Sequence, residues 1–93
     1  MKQQNKSQMS TVMLLSWQFQ APAVKLEDIL NDYLPNLSLV VANKMAKEQQ
    51  LPFPVFKMID SNKAPWMVSI FDLANHIDSR RQFASEDHEK VSS

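Results

Sequence analysis

The sequence predicts a small α+β domain: a short N-terminal strand, a helix-turn-helix, a β-hairpin wing and a closing helix. Three observations carry this. Apolar residues recur at helical spacing over 26–34 and again over 39–49, with little more than Pro35 to Leu37 between the two runs. Two β-prone segments, 55–59 and 66–69, flank a turn-rich stretch, Asp60-Ser61-Asn62-Lys63-Ala64-Pro65. A third helical pattern starts at Ser69-Ile70-Phe71-Asp72, which has the form of a capping box with Asp in place of Glu.

The elements follow in order. The segment from Thr11 to Phe19 is apolar, and Ser16 and Gln18 alternate with Trp17 and Phe19, which predicts a short strand. Pro22 then marks a turn. Leu26, Ile29, Leu30, Tyr33 and Leu34 form one face of a first helix, opposite Glu27, Asp28, Asn31 and Asp32, and Pro35 ends it. Ser38 is the expected N-cap of a second helix that runs to about Gln50. Leu39, Val41, Ala42, Met45, Ala46 and Gln49 share one half of its surface. Val40, Asn43, Lys44, Lys47, Glu48 and Gln50 share the other. Leu51-Pro52-Phe53-Pro54 stops that helix and redirects the chain into the hairpin. Ile70, Leu73, Ala74 and Ile77 line the buried face of the third helix, which is expected to fray near Phe83. Tyr33, Trp17, Trp66 and the phenylalanines are expected in the core, with Trp66 also placed to contact a partner. Residues 1–10 and 85–93 are polar and are expected to be disordered tails around a domain spanning 11–84.

Composition bounds the chemistry. A chain of 93 residues makes one domain. It holds no cysteine, which excludes disulfides and thiolate zinc sites and fits a reducing compartment. It holds no glycine either. That removes Walker A loops, dinucleotide fingerprints and nucleophile elbows, and it sends any positive-φ turn to Asn or Asp. The run Val12-Met13-Leu14-Leu15 is too short for a signal core or a membrane span, so the expectation is a soluble, cytoplasmic protein. His76 and His88 lie far apart in sequence, and no nucleophile, carboxylate pair or ligand set has supporting context. Neither an enzyme activity nor a metal or other cofactor is expected.

Net charge is zero, which argues against a strongly basic nucleic-acid binder, but the charges are unevenly distributed. Asn43, Lys44, Lys47 and Gln50 lie on the outer face of the second helix. Asn and Gln pair bidentately with adenine, and Lys donates to guanine or phosphate. Lys57, Ser61, Asn62 and Lys63 form the basic wing. Arg80 and Arg81 are the only arginines and stand side by side on the third helix. These ten residues are the candidate DNA contacts. Their competing reading is a solvated helix face, an ordinary polar turn and, for the arginines, an interaction with the dipole at a helix C-terminus.

The chain also resembles the PrtN-type pyocin activators, small phage-associated transcription activators. Pro54-Val55, Lys57, Ser61, Lys63, Val68, Asp72-Leu73-Ala74, Ile77-Asp78 and Arg80-Arg81 follow that pattern, as do Leu14-Leu15, Ala23, Asp32-Tyr33 and Leu37. The resemblance implies a winged-helix, MerR/excisionase-like domain that binds double-stranded DNA and regulates phage or phage-tail genes. It places Lys44 at a basic position of the second helix, and Lys57 and Lys63 at basic positions in and before the wing. Two departures stand out: Gln49 occupies the place of a helix-ending glycine, and Trp66-Met67 replaces a basic residue and a glycine. A transcription activator implies RNA polymerase as second partner. An excisionase that bends DNA implies a recombinase and self-association on DNA. A protein-interaction module of antirepressor type is the reading that the zero net charge and the acidic first helix favour.

Overall fold

The computed structural model describes residues 9–92. The element order is α1 (Thr11–Phe19), β1 (Ala23–Lys25), α2 (Leu26–Tyr33), α3 (Leu39–Lys47), β2 (Met67–Ser69) and α4 (Ile70–Ser92). The class is α+β, as expected, with four helices and a two-stranded antiparallel sheet among the described residues.

The segment expected as an N-terminal strand is a helix. Ser10 caps α1, its hydroxyl accepting from the Met13 N–H at 3.2 Å. Leu15 is buried, and Val12 and Phe19 pack beside it, which is helical spacing. The strand reading failed because the opposite face, Met13, Leu14 and Trp17, is also apolar and hides the period. Trp17 is 70% exposed, against its expected place in the core. Phe56, Phe71 and Phe83 are likewise exposed, while Phe53 is buried and Phe19, Tyr33 and Trp66 are partly buried against the core. The Thr11 hydroxyl donates to Asp78 Oδ1 at 2.6 Å and the Ile70 N–H donates to the Pro22 carbonyl at 2.9 Å. The first bond ties the start of α1 to α4, and the second ties the residue before β1 to the start of α4.

β1 and β2 pair in the register Ala23↔Ser69, Val24↔Val68 and Lys25↔Met67, with the two central valines buried. The expected hairpin between 55–59 and 66–69 is reduced to one rung, Phe56↔Met67, whose two bonds are 3.0 and 2.7 Å. Prolines explain the reduction. In this register the neighbouring hydrogen-bonded rungs would join Pro54 to Ser69 and Met58 to Pro65, and proline has no N–H to donate. β2 therefore takes its main partner from the N-terminal half of the chain.

α2 and α3 form as expected. Leu26, Ile29 and Leu30 are buried, and Glu27 and Asp28 lie in the first turn of α2, where the helix dipole favours them. The Leu34 N–H closes the last turn on Leu30 O before Pro35. Ser38 caps α3, accepting from the Val41 N–H at 3.2 Å. Ala42 and Ala46 are fully buried, so α3 seats on the core through small side chains and lies close to it. Leu39, Val41 and Gln49, expected on the inner half, are exposed.

The two positive-φ residues among those described are Gln20 (55°) and Gln49 (57°), not Asn or Asp as expected. Gln49 is the left-handed residue after α3: its N–H donates to Ala46 O at 3.1 Å and the Gln50 N–H donates to Met45 O at 2.8 Å, a Schellman ending.

α4 does not fray near Phe83 but continues to Ser92, through most of the expected C-terminal tail. No glycine or proline follows Pro65 to interrupt it, and Gln82 donates to Glu86 at 3.1 Å along its surface. From Ser79 to Val91 every residue is exposed. The expected N-terminal tail, residues 1–10, lies outside the described residues except for Met9 and Ser10.

The core joins Leu15 of α1, Val24 and Val68 of the sheet, Leu26, Ile29 and Leu30 of α2, and Ile70, Leu73 and Ala74 of α4, with Phe53 and Val55 closing one side. Each fully buried Leu or Ile contributes about 1.5–3 kcal/mol relative to exposure. No helix among the described residues is long and apolar enough to cross a membrane.

Candidate functional site

A depression of about 750 Å³ lies between α3 and the loop from Lys57 to Trp66. The sequence fixes one wall through the cap at Ser38 and the alanines that seat α3, which turn Asn43, Lys44 and Lys47 outward. The other wall is the loop, organised by Ser61. Its carbonyl accepts from the Ala64 N–H at 3.1 Å and from Lys57 Nζ at 3.0 Å, and its hydroxyl accepts from the Lys63 N–H at 3.2 Å. Asn62 and Lys63 sit at the exposed tip of that turn. Leu26 and Trp66 also line the depression, joined by a bond from the Leu26 N–H to Trp66 O at 2.8 Å.

Seven of the ten candidate residues, Asn43, Lys44, Lys47, Lys57, Ser61, Asn62 and Lys63, thus line one groove. Four of these are lysines, set against Glu27 and Asp60 on the same lining, which leaves a local charge of +2 in a chain whose net charge is zero. The remainder of the chain is correspondingly acidic.

Lys57 has a second task. Its ammonium stands 4.9 Å from the centre of the Trp66 ring while bonding to Ser61 O, so it braces the loop against the sheet. Lys44, Lys47 and Lys63 are exposed and carry the outward charge.

Gln50, Arg80 and Arg81 do not line the groove. Gln50 is exposed beyond the end of α3. Both arginines lie on the exposed part of α4, eleven or more residues before its end at Ser92, so the helix-terminus reading does not apply to them. Arg80 lies 6.0 Å from the Phe83 ring and borders a separate depression with Pro52, Phe53 and His76. There His76 makes an edge contact with Phe53 at 5.4 Å. Burial, helped by the nearby Arg80 charge, lowers its pKa below 6.5.

Sequence reasoning missed Glu27 and Asp60 as groove residues. Glu27 reads as a helix-dipole partner, and only the packing of α2 beside α3 brings it to this rim.

The model of one family, described as "Pyocin activator protein PrtN", matches residues 11–84. The chain belongs to the PrtN pyocin activator family. The match runs from the first residue of α1 to the middle of α4, and so includes the whole core and both walls of the groove. It stops before the last turns of α4. No curated protein matches the chain, and no solved structure matches it. At Gln49, within the matched region, the backbone adopts the conformation that glycine favours, and this chain adopts it with glutamine.

Proposed function

We propose that this PrtN-family chain is a sequence-specific DNA-binding activator of phage or phage-tail-like genes, acting through α3 and the 57–66 loop as a helix-turn-helix and wing. One observation carries the reading: a neutral chain gathers four lysines, two asparagines and a serine onto the two walls of a single groove. In this reading α3 enters the major groove, where Asn43 reads adenine and Lys44 and Lys47 donate to guanine or to phosphate. The loop lies along the adjoining backbone, where Asn62 and Lys63 bind phosphate and Ser61 and Lys57 hold the loop in shape.

The test is the salt dependence of binding to duplex DNA that flanks the gene. Phosphate contacts from Lys44, Lys47 and Lys63 give a log–log slope of about −3. Lys44→Ala and Lys63→Ala each weaken binding and flatten that slope by about 0.9, with an unchanged circular-dichroism spectrum. Absence of binding to any duplex at low salt would refute the proposal.

A further inference from the structure

The outermost ridge of α3 is not entirely polar. Val40, Lys44 and Lys47 stand at i, i+4 and i+7, on the side of the helix turned away from the buried Ala42 and Ala46. Val40 is 79% exposed, the most exposed of the large apolar side chains between α1 and α4. Folding gives no reason for it. At that exposure it buries little apolar surface, and its branched Cβ makes it a poorer helix former than alanine by several tenths of a kcal/mol. The first turn around it carries no acidic residue, in contrast to Glu27 and Asp28 in the first turn of α2. That turn is also rigidly set, because Ser38 accepts from Val41 through its hydroxyl at 3.2 Å and from Ala42 through its carbonyl at 2.8 Å.

We infer that Val40 is a specificity-determining residue that reads the C5-methyl group of a thymine in the major groove. The inference rests on the proposed insertion of α3. When a recognition helix docks, its N-terminal turn meets the base edges. On the floor of the major groove, the thymine methyl is the apolar feature that separates T·A from C·G at that edge. The isopropyl group of Val40 is held outward by a capped turn and has no charge or donor to satisfy. Asn43, one turn further along, supplies the polar half of the same readout.

The experiment uses the full chain and a duplex enriched by it from a random-sequence pool. That duplex is made once with thymine and once with deoxyuridine, which lacks only the C5-methyl group. The parent protein binds the uracil duplex more weakly, by about threefold to tenfold for the loss of one methyl contact. Replacing thymines one at a time traces the loss to a single position. Val40→Ala, which removes the two methyls and favours the helix, loses a similar factor on the thymine duplex and no longer distinguishes the two duplexes. Equal binding of both duplexes by the parent would overturn the inference while leaving DNA binding intact. So would an unchanged preference in Val40→Ala, or an enriched site with no thymine at its constrained positions. Failure to bind either duplex would overturn the groove reading and this inference with it.

Discussion

Gln49→Gly stabilises this protein. Gln49 holds φ 57° at the end of α3, a conformation in which a side chain with a Cβ clashes with the neighbouring carbonyl. That strain is about 1–2 kcal/mol for an L-residue other than glycine. Glycine removes it but loses more backbone entropy on folding, about 0.5–1 kcal/mol. The substitution also removes the weak bond from the Gln49 side-chain amide to Ala46 O at 3.3 Å, but that carbonyl keeps its backbone donor at 3.1 Å. The balance is a gain of about 0.5–1 kcal/mol, which raises Tm by roughly 2–8 °C for a domain of this size. Thermal unfolding followed by far-UV circular dichroism reads it directly. Gln49→Ala separates the terms, since it keeps the Cβ strain and loses the side-chain bond, so its Tm does not rise. If Gln49→Gly were no more stable than Gln49→Ala, the left-handed strain would not be the controlling term and the reasoning would be refuted.

Two further outcomes follow from burial and charge. Leu15→Ala removes a buried side chain at the α1–α4 contact and lowers stability by about 2–5 kcal/mol, whereas Trp17→Ala, two residues along the same helix, changes urea-unfolding stability by less than about 1 kcal/mol; comparable losses would mean that α1 is seated the other way round. His76 has its pKa lowered by burial and by Arg80, so the unfolded chain takes up the proton first as the solution is acidified. Stability is therefore full above the unfolded value of 6.5 and falls as pH drops through the interval between that value and the lower folded one; His76→Gln flattens this part of the stability profile, and an unchanged slope would refute the assignment.

The parts of the fold that could be read from the chain are those where one residue type has one physical meaning. Ser38 and Ser69 accept from backbone N–H groups at helix starts, and both helices begin there. The stripe Leu26–Ile29–Leu30 has a polar face opposite it, so its helical period stands out. The α1 segment lacked that contrast, since apolar side chains cover both of its faces, and the alternation over 16–19 imitated a strand. The hairpin was misjudged for a different reason. β-propensity describes each segment by itself, whereas the ladder depends on which residues come opposite each other, and Pro54 and Pro65 occupy the rungs on either side of Phe56↔Met67.

The same division holds for the groove. The sequence by itself determined that α3 carries Asn43, Lys44 and Lys47 on its outer face, because a capped helix with Ala42 and Ala46 inward leaves them nowhere else to point. It also determined that 60–65 is a turn. Only the tertiary structure decided that these two sets face each other, that Glu27 joins them, and that Gln50, Arg80 and Arg81 do not. The physical reason is that periodicity and capping act within a few residues of the chain. The meeting of α3 with a loop more than ten residues later is set by long-range packing of β2 between β1 and Phe56, which no local pattern encodes.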